Sequence, residues 1–180
     1  MRKQEQEFGE VFERYADELF RHASMRLPDR ERALELTQDA FVRTWEYLQK
    51  GGEVREPRPF LYRTLRHLII DEYRKHKSYS LESMLEEHEG MSAEDLMPAD
   101  ETNTLEAAME RFDGKRALAA VQKLPDAYRE VLTLRYVDGL TPKEIAAIVE
   151  ESENAVSVRI HLGLKKLKAL LEPDATQQQS

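Results

Sequence analysis

The side chains with the clearest chemical potential in this chain lie near its C-terminal end, around a helix break at residues 150–152. Ser152 can cap a helix, and apolar residues recur after it at three- and four-residue steps as far as Leu171. The stretch before the break begins with Thr141-Pro142-Lys143-Glu144, which has the capping residue, the proline and the acid of a helix start. Asp138-Gly139 favours a turn ahead of it. A short helix, a tight turn and a longer amphipathic helix predict a DNA-binding helix-turn-helix.

A second group of side chains with chemical potential is cationic and lies between residues 63 and 77. At about 100 degrees per residue, its members fall within about a quarter turn of one another, opposite an apolar stripe. Tyr62 and Tyr73 lie along one edge of the group. Because cations neutralise phosphates and aromatic faces accept unstacked bases, the pattern suits a nucleic-acid strand. The alternative is a solvated helix face with tyrosines at the edge of the core, which this helix alone favours. The basic strip, as we name the group, comprises Arg63, Arg66, His67, Arg74 and Lys77.

No set of residues in the sequence has the spacing of a catalytic or metal site. The chain has no cysteine, which excludes disulfides, thiolate zinc sites and cysteine nucleophiles. Its five histidines show neither an HExxH motif nor paired metal-ligand spacing, and no phosphate-binding glycine loop is present. Asp71 and Glu72 are neighbouring carboxylates, but neighbours on a helix point about 100 degrees apart, which suits surface pairing. The sequence therefore predicts a protein that is not an enzyme and that needs no cofactor or metal.

The net charge of −8 is distributed unevenly along the chain. Residues 1–77 carry a net charge of +1 and residues 115–171 a net charge of +3. Residues 78–114 hold one basic residue, Arg111, against eleven acidic ones. Because salt screens charges over about 8 to 10 Å, each segment keeps its own local field. The overall acidity therefore does not exclude a nucleic-acid partner.

The sequence gives no sign of insertion into a membrane. Its N-terminal residues lack the apolar core of a signal peptide. No run approaches the roughly 18 apolar residues that a membrane span needs. We expect a cytoplasmic protein.

Helical periodicity predicts an all-α chain with two folded units. Three N-terminal helices, at about residues 8–27, 30–50 and 59–76, can form a compact bundle. The predicted parts are the bundle in residues 1–77, an acidic flexible linker in 78–114, the helix-turn-helix unit in 115–171 and a polar tail in 172–180.

Two apolar stripes define the predicted core of the bundle. The stripe of the first helix contains Phe8, Val11, Phe12, Tyr15, Leu19 and Ala23, and that of the second contains Leu34, Thr37, Phe41, Trp45 and Leu48.

Three stretches of the sequence together resemble bacterial RNA polymerase sigma factors. Their second region is similar to Glu35 to Trp45, with the sequence ELTQDAFVRTW, and to the following helix, Pro59 to Arg74, with the sequence PFLYRTLRHLIIDEYR. Their fourth region resembles Leu124 to Leu171. Because the stretches occur in the right order with a suitable linker, the chain is identified as a member of the sigma-70 family. Its two-domain form is that of the extracytoplasmic-function (ECF) branch.

The resemblance implies that the second helix binds the clamp helices of the polymerase beta-prime subunit. From the residues alone, an ordinary solvated helix face is the preferred alternative. The residues implied to contact core polymerase are Glu35, Gln38, Asp39, Val42, Arg43 and Glu46.

The same resemblance implies that the loop at residues 51–58 and the third helix recognise and melt the minus-10 promoter element. Because unstacking a base costs a few kcal/mol, such a surface needs a pocket for a base and a cationic path for the strand. The residues implied in these contacts are Arg55, Arg58, Tyr62, Arg63, Arg66, His67, Tyr73, Arg74 and Lys77.

The last helix is implied to read the minus-35 element as duplex DNA, with its first turns near base edges and its lysines near phosphates. Sigma factors commonly carry glycine at the position of Glu150, so a left-handed turn there would cost about 1 kcal/mol. The residues implied in minus-35 contacts are Glu153, Asn154, Ser157, Val158, Arg159, His161, Lys165, Lys166 and Lys168.

The function implied by the resemblance is that of a dissociable specificity subunit, a monomer when free, which directs polymerase to promoters. Its implied partners are core RNA polymerase, through the beta-prime and beta subunits, and promoter DNA, and an anti-sigma factor is a further candidate. One alternative is a free-standing helix-turn-helix transcription regulator whose N-terminal bundle dimerises or senses a signal. Another is an acidic helical adaptor with a degenerate helix-turn-helix.

Overall fold

The structure, a computed structural model, describes residues 2–76 and 114–172, and both ranges consist of helices joined by turns. No strand occurs in these ranges, and the expected all-α fold class is confirmed. The predicted linker up to residue 113, Lys77 and the tail from residue 173 lie outside the described residues. The elements in chain order are α1 Arg2–Arg26, α2 Arg30–Gln49, α3 Pro57–Lys75, α4 Gly114–Val121, α5 Asp126–Leu132, a π-helix Thr133–Val137, α6 Pro142–Val149 and α7 Glu153–Leu171.

Backbone contacts divide the described residues into two compact units. The first contains α1, α2 and α3 together with residues 143–151. The second contains α4, α5, the π-helix and α7.

Local signals explain where the three N-terminal helices begin. The carboxylate of Asp29 accepts a hydrogen bond from the backbone N–H of Glu31 at 3.0 Å, which caps the first turn of α2. Pro57 is the first residue of α3, a position where its missing N–H costs no helix hydrogen bond. Gly51 lies just beyond the end of α2 and has φ of +90°, a conformation that favours glycine. Therefore α2 and α3 lie close to their predicted bounds, whereas α1 begins at Arg2, ahead of its predicted start at about residue 8.

The bundle core is built from apolar side chains of α1 and α3 against small residues of α2. Leu19 of α1 and Leu61, Leu65 and Ile69 of α3 have no exposed surface. Fully burying such a side chain contributes roughly 1.5–3 kcal/mol. These contacts make α3 the central scaffold on which the basic strip is carried.

The buried face of α2 differs from the predicted stripe. Leu34 is 45% exposed, whereas Ala33, Leu36 and Ala40 are buried together with Thr37. The prediction weighed bulky residues and passed over alanines, which bury well where helices approach closely. The Thr37 hydroxyl donates to the carbonyl of Ala33 at 2.8 Å, so this polar side chain is satisfied inside the core.

An ion pair ties α2 to the C-terminal half of α3. The Nε and Nη2 atoms of Arg32 donate to the two carboxylate oxygens of Glu72 at 2.9 and 2.8 Å. This hydrogen bonding outweighs burial and holds the pKa of Glu72 below its ordinary value. The Glu72 side chain is 9% exposed and that of Arg32 is 33% exposed, so the carboxylate is the better shielded partner.

The second unit packs α7 against α4 and α5. The apolar residues predicted to line α7, Val156, Ile160, Leu164, Leu167 and Leu171, are all buried. A Cβ atom at Gly163 would lie 3.2 Å from side-chain atoms of Leu132, so glycine allows a close approach of α7 to α5.

Candidate functional site

The exposed face of α2 carries all six residues implied in polymerase binding. Each of them is exposed, and Val42 has 53% of its surface accessible. Leu34, which was expected in the core, adds a second exposed apolar side chain to α2. The Glu35 carboxylate lies 2.7 Å from Nη1 of Arg32, at the edge of the face. The result is a mainly acidic surface with two apolar side chains.

An apolar groove borders this face on the side of α1. Its volume is about 520 Å³, and Phe12 and Val42 both line it. Phe12 is 45% exposed although its spacing predicted a core position, and its ring centroid is 4.8 Å from that of Phe41. Trp45 is partly buried, with its ring 5.0 Å from that of Phe8. Helical spacing alone did not distinguish this shallow groove from the closed core.

The basic strip on α3 is accessible to different degrees. His67 and Arg74 are exposed, as is Arg55 in the preceding loop. Arg63 and Arg66 are partly exposed. Lys77 lies outside the described residues. The accessible arginines of the strip lie along one side of α3.

The two tyrosines expected beside the strip belong to the core instead. Tyr62 is 1% exposed and Tyr73 6% exposed. The Tyr62 ring packs edge-on against His22 at a centroid distance of 5.3 Å, and the Tyr73 hydroxyl donates to the backbone carbonyl of Arg26. This corrects their expected place in the minus-10 surface, because a buried ring offers no face to a base. A tyrosine suits a core edge when its hydroxyl finds a partner, as both do here.

Exposed aromatic surface near the strip comes from residues that the sequence analysis did not select. Tyr47, at the end of α2, is 45% exposed, and its ring lies 5.2 Å from that of Phe60 at the start of α3. The Arg63 guanidinium lies over the Phe60 ring at 5.6 Å. Tyr47 and Phe60, which we name the aromatic pair, therefore stand beside a cation of the strip.

Gly52 shapes the loop beside the aromatic pair. A Cβ atom at Gly52 would fall 2.3–2.6 Å from atoms of the Tyr47 ring, so only glycine lets the backbone pass so close to it. The sequence signals that could have identified Tyr47 are the glycines four and five residues later and its ring, which lies outside the predicted stripe of α2.

Arg58 is held by a carboxylate of α1. Its Nε donates to Oε1 of Glu18 at 2.7 Å, and the two side chains are 26% and 22% exposed. Burial lowers the pKa of Arg58, but the hydrogen bond and charge of Glu18 outweigh that effect and raise it above its ordinary value. Arg58 therefore stays charged and oriented at the first turn of α3.

The first turns of α7 present small polar side chains. The Ser152 hydroxyl accepts from the backbone N–H of Ala155 at 3.1 Å, which confirms the expected cap. Glu153, Asn154 and Ser157 follow it and are exposed. Such side chains can hydrogen-bond to base edges in a major groove.

Three residues expected at the DNA are buried in the structure. Val158, Arg159 and His161 are 7%, 3% and 2% exposed. This corrects their expected position at the surface of α7. Arg159 follows Val156 by three residues, which places it on the buried side of the helix. Its charge had suggested a surface position, although the spacing already pointed inward.

The lysines near the end of α7 lie at or near the surface. Lys165 and Lys166 are exposed and Lys168 is partly exposed. The Lys166 ammonium lies 5.3 Å from the centre of the Tyr128 ring. Their positions suit long-range attraction to phosphates.

The turn before α7 contains a strained residue. Glu150 has φ of +58°, and it is the one residue other than glycine with positive φ in the described parts of the chain. For a side chain with a Cβ this conformation costs roughly 1–2 kcal/mol. The expected left-handed turn at an acidic residue is therefore confirmed.

Comparisons with known proteins identify the class of protein. The family model for sigma-70 region 2 matches residues 11–79, and the model for sigma-70 region 4 matches residues 115–167. Together these matches cover more than half of the chain. The chain therefore belongs to the sigma-70 family of RNA polymerase sigma factors.

Individual relatives place the chain in the ECF branch of that family. ECF RNA polymerase sigma factor SigW of Bacillus subtilis is 28% identical over 165 residues, which cover 91% of this chain and 88% of that protein. SigM of the same organism is 27% identical over 162 residues, covering 89% and 93%. The chain is thus similar to ECF sigma factors over nearly its whole length.

A solved structure supports the fold. The sigma factor RpoE, in a co-crystal structure with the anti-sigma factor NepR from Bartonella quintana, superposes with a TM-score of 0.64 at 20% identity. The superposition covers 97% of this chain and 99% of that one. Within the described ranges, no helix combines the length and the apolar character that crossing a membrane requires.

Proposed function

We propose that this sigma factor directs core RNA polymerase to promoters and helps to open the DNA as a dissociable, non-catalytic subunit acting in the cytoplasm. The observation that carries the proposal is the presence of sigma-70 regions 2 and 4, in that order, in one chain. A free-standing duplex-binding regulator could use its N-terminal bundle to dimerise or to sense a signal, but that bundle would have no need to match sigma-70 region 2.

Core polymerase is proposed to bind the exposed face of α2. The face combines the acidic residues Glu35, Asp39 and Glu46 with the apolar side chains of Leu34 and Val42. Apolar contacts surrounded by charges are typical of interfaces that form and dissociate. Gln38 and Arg43 complete the proposed contact surface.

Strand opening is proposed to use the basic strip and the aromatic pair. Arg63, Arg66, His67 and Arg74 supply a cationic path, and Lys77 extends it in the sequence. Tyr47 and Phe60 replace the buried tyrosines as the aromatic surface for an unstacked base. Stacking of a base on such a ring is worth about 1–3 kcal/mol, comparable to the cost of unstacking it.

Duplex reading is proposed to use Glu153, Asn154 and Ser157 of α7, with Lys165, Lys166 and Lys168 toward phosphates. The proposed parts are region 2 in residues 1–77, an acidic linker in 78–114, region 4 in 115–171 and a tail in 172–180. An anti-sigma factor is a further proposed partner, because the structurally similar RpoE was solved with one.

The function is tested by adding the protein to core polymerase and measuring transcription from promoter DNA. We expect promoter-dependent transcripts only when both are present. Glu35→Arg with Asp39→Arg should lower core affinity at least about tenfold, because two charges of the face are reversed. Thermal stability should change little, since both sites are exposed.

A matched control reverses two exposed acids elsewhere, Glu10→Arg with Glu13→Arg on α1. This pair should keep core affinity within about twofold of wild type. Full core affinity in the α2 double variant would reject the assigned face. If adding the protein to core polymerase gave no promoter-dependent transcription, the sigma-factor function itself would be rejected.

A further inference from the structure

Glu18 of α1 joins two side chains of α3 at the junction of these helices. Its Oε1 atom accepts a hydrogen bond from Nε of Arg58 at 2.7 Å. The same oxygen accepts one from the hydroxyl of Tyr62 at 3.3 Å. Because the Tyr62 ring is 1% exposed, the carboxylate is anchored to the core on one side and holds an arginine on the other.

The backbone around Arg58 is also constrained. Pro57 and Pro59 flank it, and proline fixes its own φ near −65°. Arg58 lies in the first turn of α3, where unsatisfied backbone N–H groups favour anions. A negatively charged ligand at this end of α3 would therefore meet a cation whose backbone and side chain are both restrained.

Restraint of an arginine has a definite consequence for binding. A mobile arginine loses rotamer freedom when it contacts a phosphate, whereas a preorganised one has already lost much of it. Other cations of the proposed surface are held differently: Arg63 lies over the ring of Phe60, and Arg55 is exposed. Glu18 is a carboxylate of α1 that restrains a cation of this surface.

We propose that Glu18 is a positioning residue for promoter opening, which holds Arg58 in the orientation that contacts a phosphate of the DNA. The inference rests on the proposed function and extends it to a residue of α1. Glu18 exerts two opposing effects, because it orients Arg58 but also offsets part of its charge. These effects separate when the charge is removed and the hydrogen-bond acceptor is kept.

The test compares Glu18→Gln with Glu18→Ala in holoenzyme assembled from core and the full chain. The measurement is the rate of open-complex formation at saturating sigma factor, with core affinity and thermal stability measured in parallel. Glu18→Ala should slow opening about fivefold, because Arg58 loses its orientation. Glu18→Gln should match wild type or exceed it, because its amide oxygen still accepts from Nε. Glu13→Ala, an exposed acid on the same helix, should have no effect.

A double-variant cycle excludes a merely structural role. In an Arg58→Ala background, Glu18→Ala should cause no further slowing. Arg58→Ala and Glu18→Ala should each reduce the salt dependence of opening by up to about one phosphate contact. Equal rates of open-complex formation for wild type and Glu18→Ala would overturn the proposal. Equal acceleration of opening by Glu18→Ala and Glu18→Gln would overturn it as well. Wild-type protein would still support promoter-dependent transcription in those cases, so the proposed function would stand.

Discussion

The two helices proposed to meet promoter DNA, α3 and α7, divide charge and burial in different ways. On α3 the cations of the basic strip reach the surface and the tyrosines Tyr62 and Tyr73 are buried. On α7 small polar side chains occupy the exposed first turns, while Arg159 and His161 are buried. Thus α3 offers charge with little hydrogen-bonding specificity, and α7 offers hydrogen bonds with cations only near its end. The comparison teaches that opening and reading of DNA should differ in salt dependence and in sequence dependence.

The largest effect is expected on α3. Replacing Arg63, Arg66 and Arg74 with alanine should slow open-complex formation about a hundredfold, because three charge-assisted phosphate contacts are removed. The dependence of the rate on salt should weaken by up to about three contacts. Stopped-flow measurement over a salt series checks both, with Arg14→Ala on α1 as the control. An unchanged salt dependence would remove the basic strip from the DNA interface.

A smaller effect with a different signature is expected on α7. Asn154→Ala with Ser157→Ala should reduce discrimination between the correct and an altered minus-35 element about tenfold. The salt dependence should stay the same, because neither side chain carries charge. Binding to both duplexes, measured by fluorescence anisotropy, checks this result. Equal discrimination by variant and wild type would assign reading to another part of the molecule.

How much of this contrast the sequence predicts depends on the kind of signal. Helix bounds followed from capping residues and prolines such as Ser152 and Pro142, because those groups act on their own neighbours. The exposure of the proposed polymerase face followed from spacing, because its residues lie away from the buried side of α2. Its role in binding polymerase came from the resemblance to sigma factors. These features depend on residues that are close together in the sequence.

The misassigned residues share a different cause. Periodicity identifies the side of a helix on which a residue lies, but what covers that side depends on the other helices. Tyr62 was placed beside the basic strip because of its position on the helix, yet its ring is buried and its hydroxyl donates to Glu18. Leu34 was placed in the core, yet it is exposed, and Ala33 and Ala40 lie on the buried side of α2. Tyr47 was missed because its proximity to Phe60 joins two helices across a loop.

A pH series tests how the ion pair between Arg32 and Glu72 anchors α3 to α2. The hydrogen bonds from Arg32 hold the pKa of Glu72 below its ordinary value of 4.5, so the folded state binds this proton less readily than the unfolded state. The stabilisation is therefore complete above that value and is lost as the pH falls through the lower pKa of the folded state. Its size should be about 1–2 kcal/mol.

Urea unfolding at pH 7 and at successively lower pH values, down to protonation of the Glu72 carboxyl, measures the contribution of Glu72. The difference in stability between Glu72→Gln and wild type should shrink at the lower pH, when the wild-type carboxyl becomes protonated. Asp71→Asn, an exposed neighbour, should show no such convergence. If the difference in stability between Glu72→Gln and wild type stayed the same at low pH, the ion pair would not be what anchors α3.

The smallest effect is expected at the turn before α7. Glu150→Gly should raise stability by about 0.5 kcal/mol, because relief of the left-handed strain exceeds the added freedom of glycine in the unfolded chain. Glu151→Gly, at a neighbouring residue without positive φ, should lower stability. Thermal unfolding of both variants checks the prediction. A loss of stability in Glu150→Gly would show that the Glu150 side chain contributes more than the strain costs.

The division of labour between α3 and α7 is tested most directly by transcription from two templates, a fully duplex promoter and one already melted around the minus-10 element. The α3 variant, with Arg63, Arg66 and Arg74 replaced by alanine, should be strongly defective on the duplex and recover to within about threefold of wild type on the melted template. The α7 variant, with Asn154 and Ser157 replaced, should keep the same defect on both, because its duplex element is unchanged. Equal loss by the α3 variant on the two templates would contradict a role for the basic strip in opening the DNA.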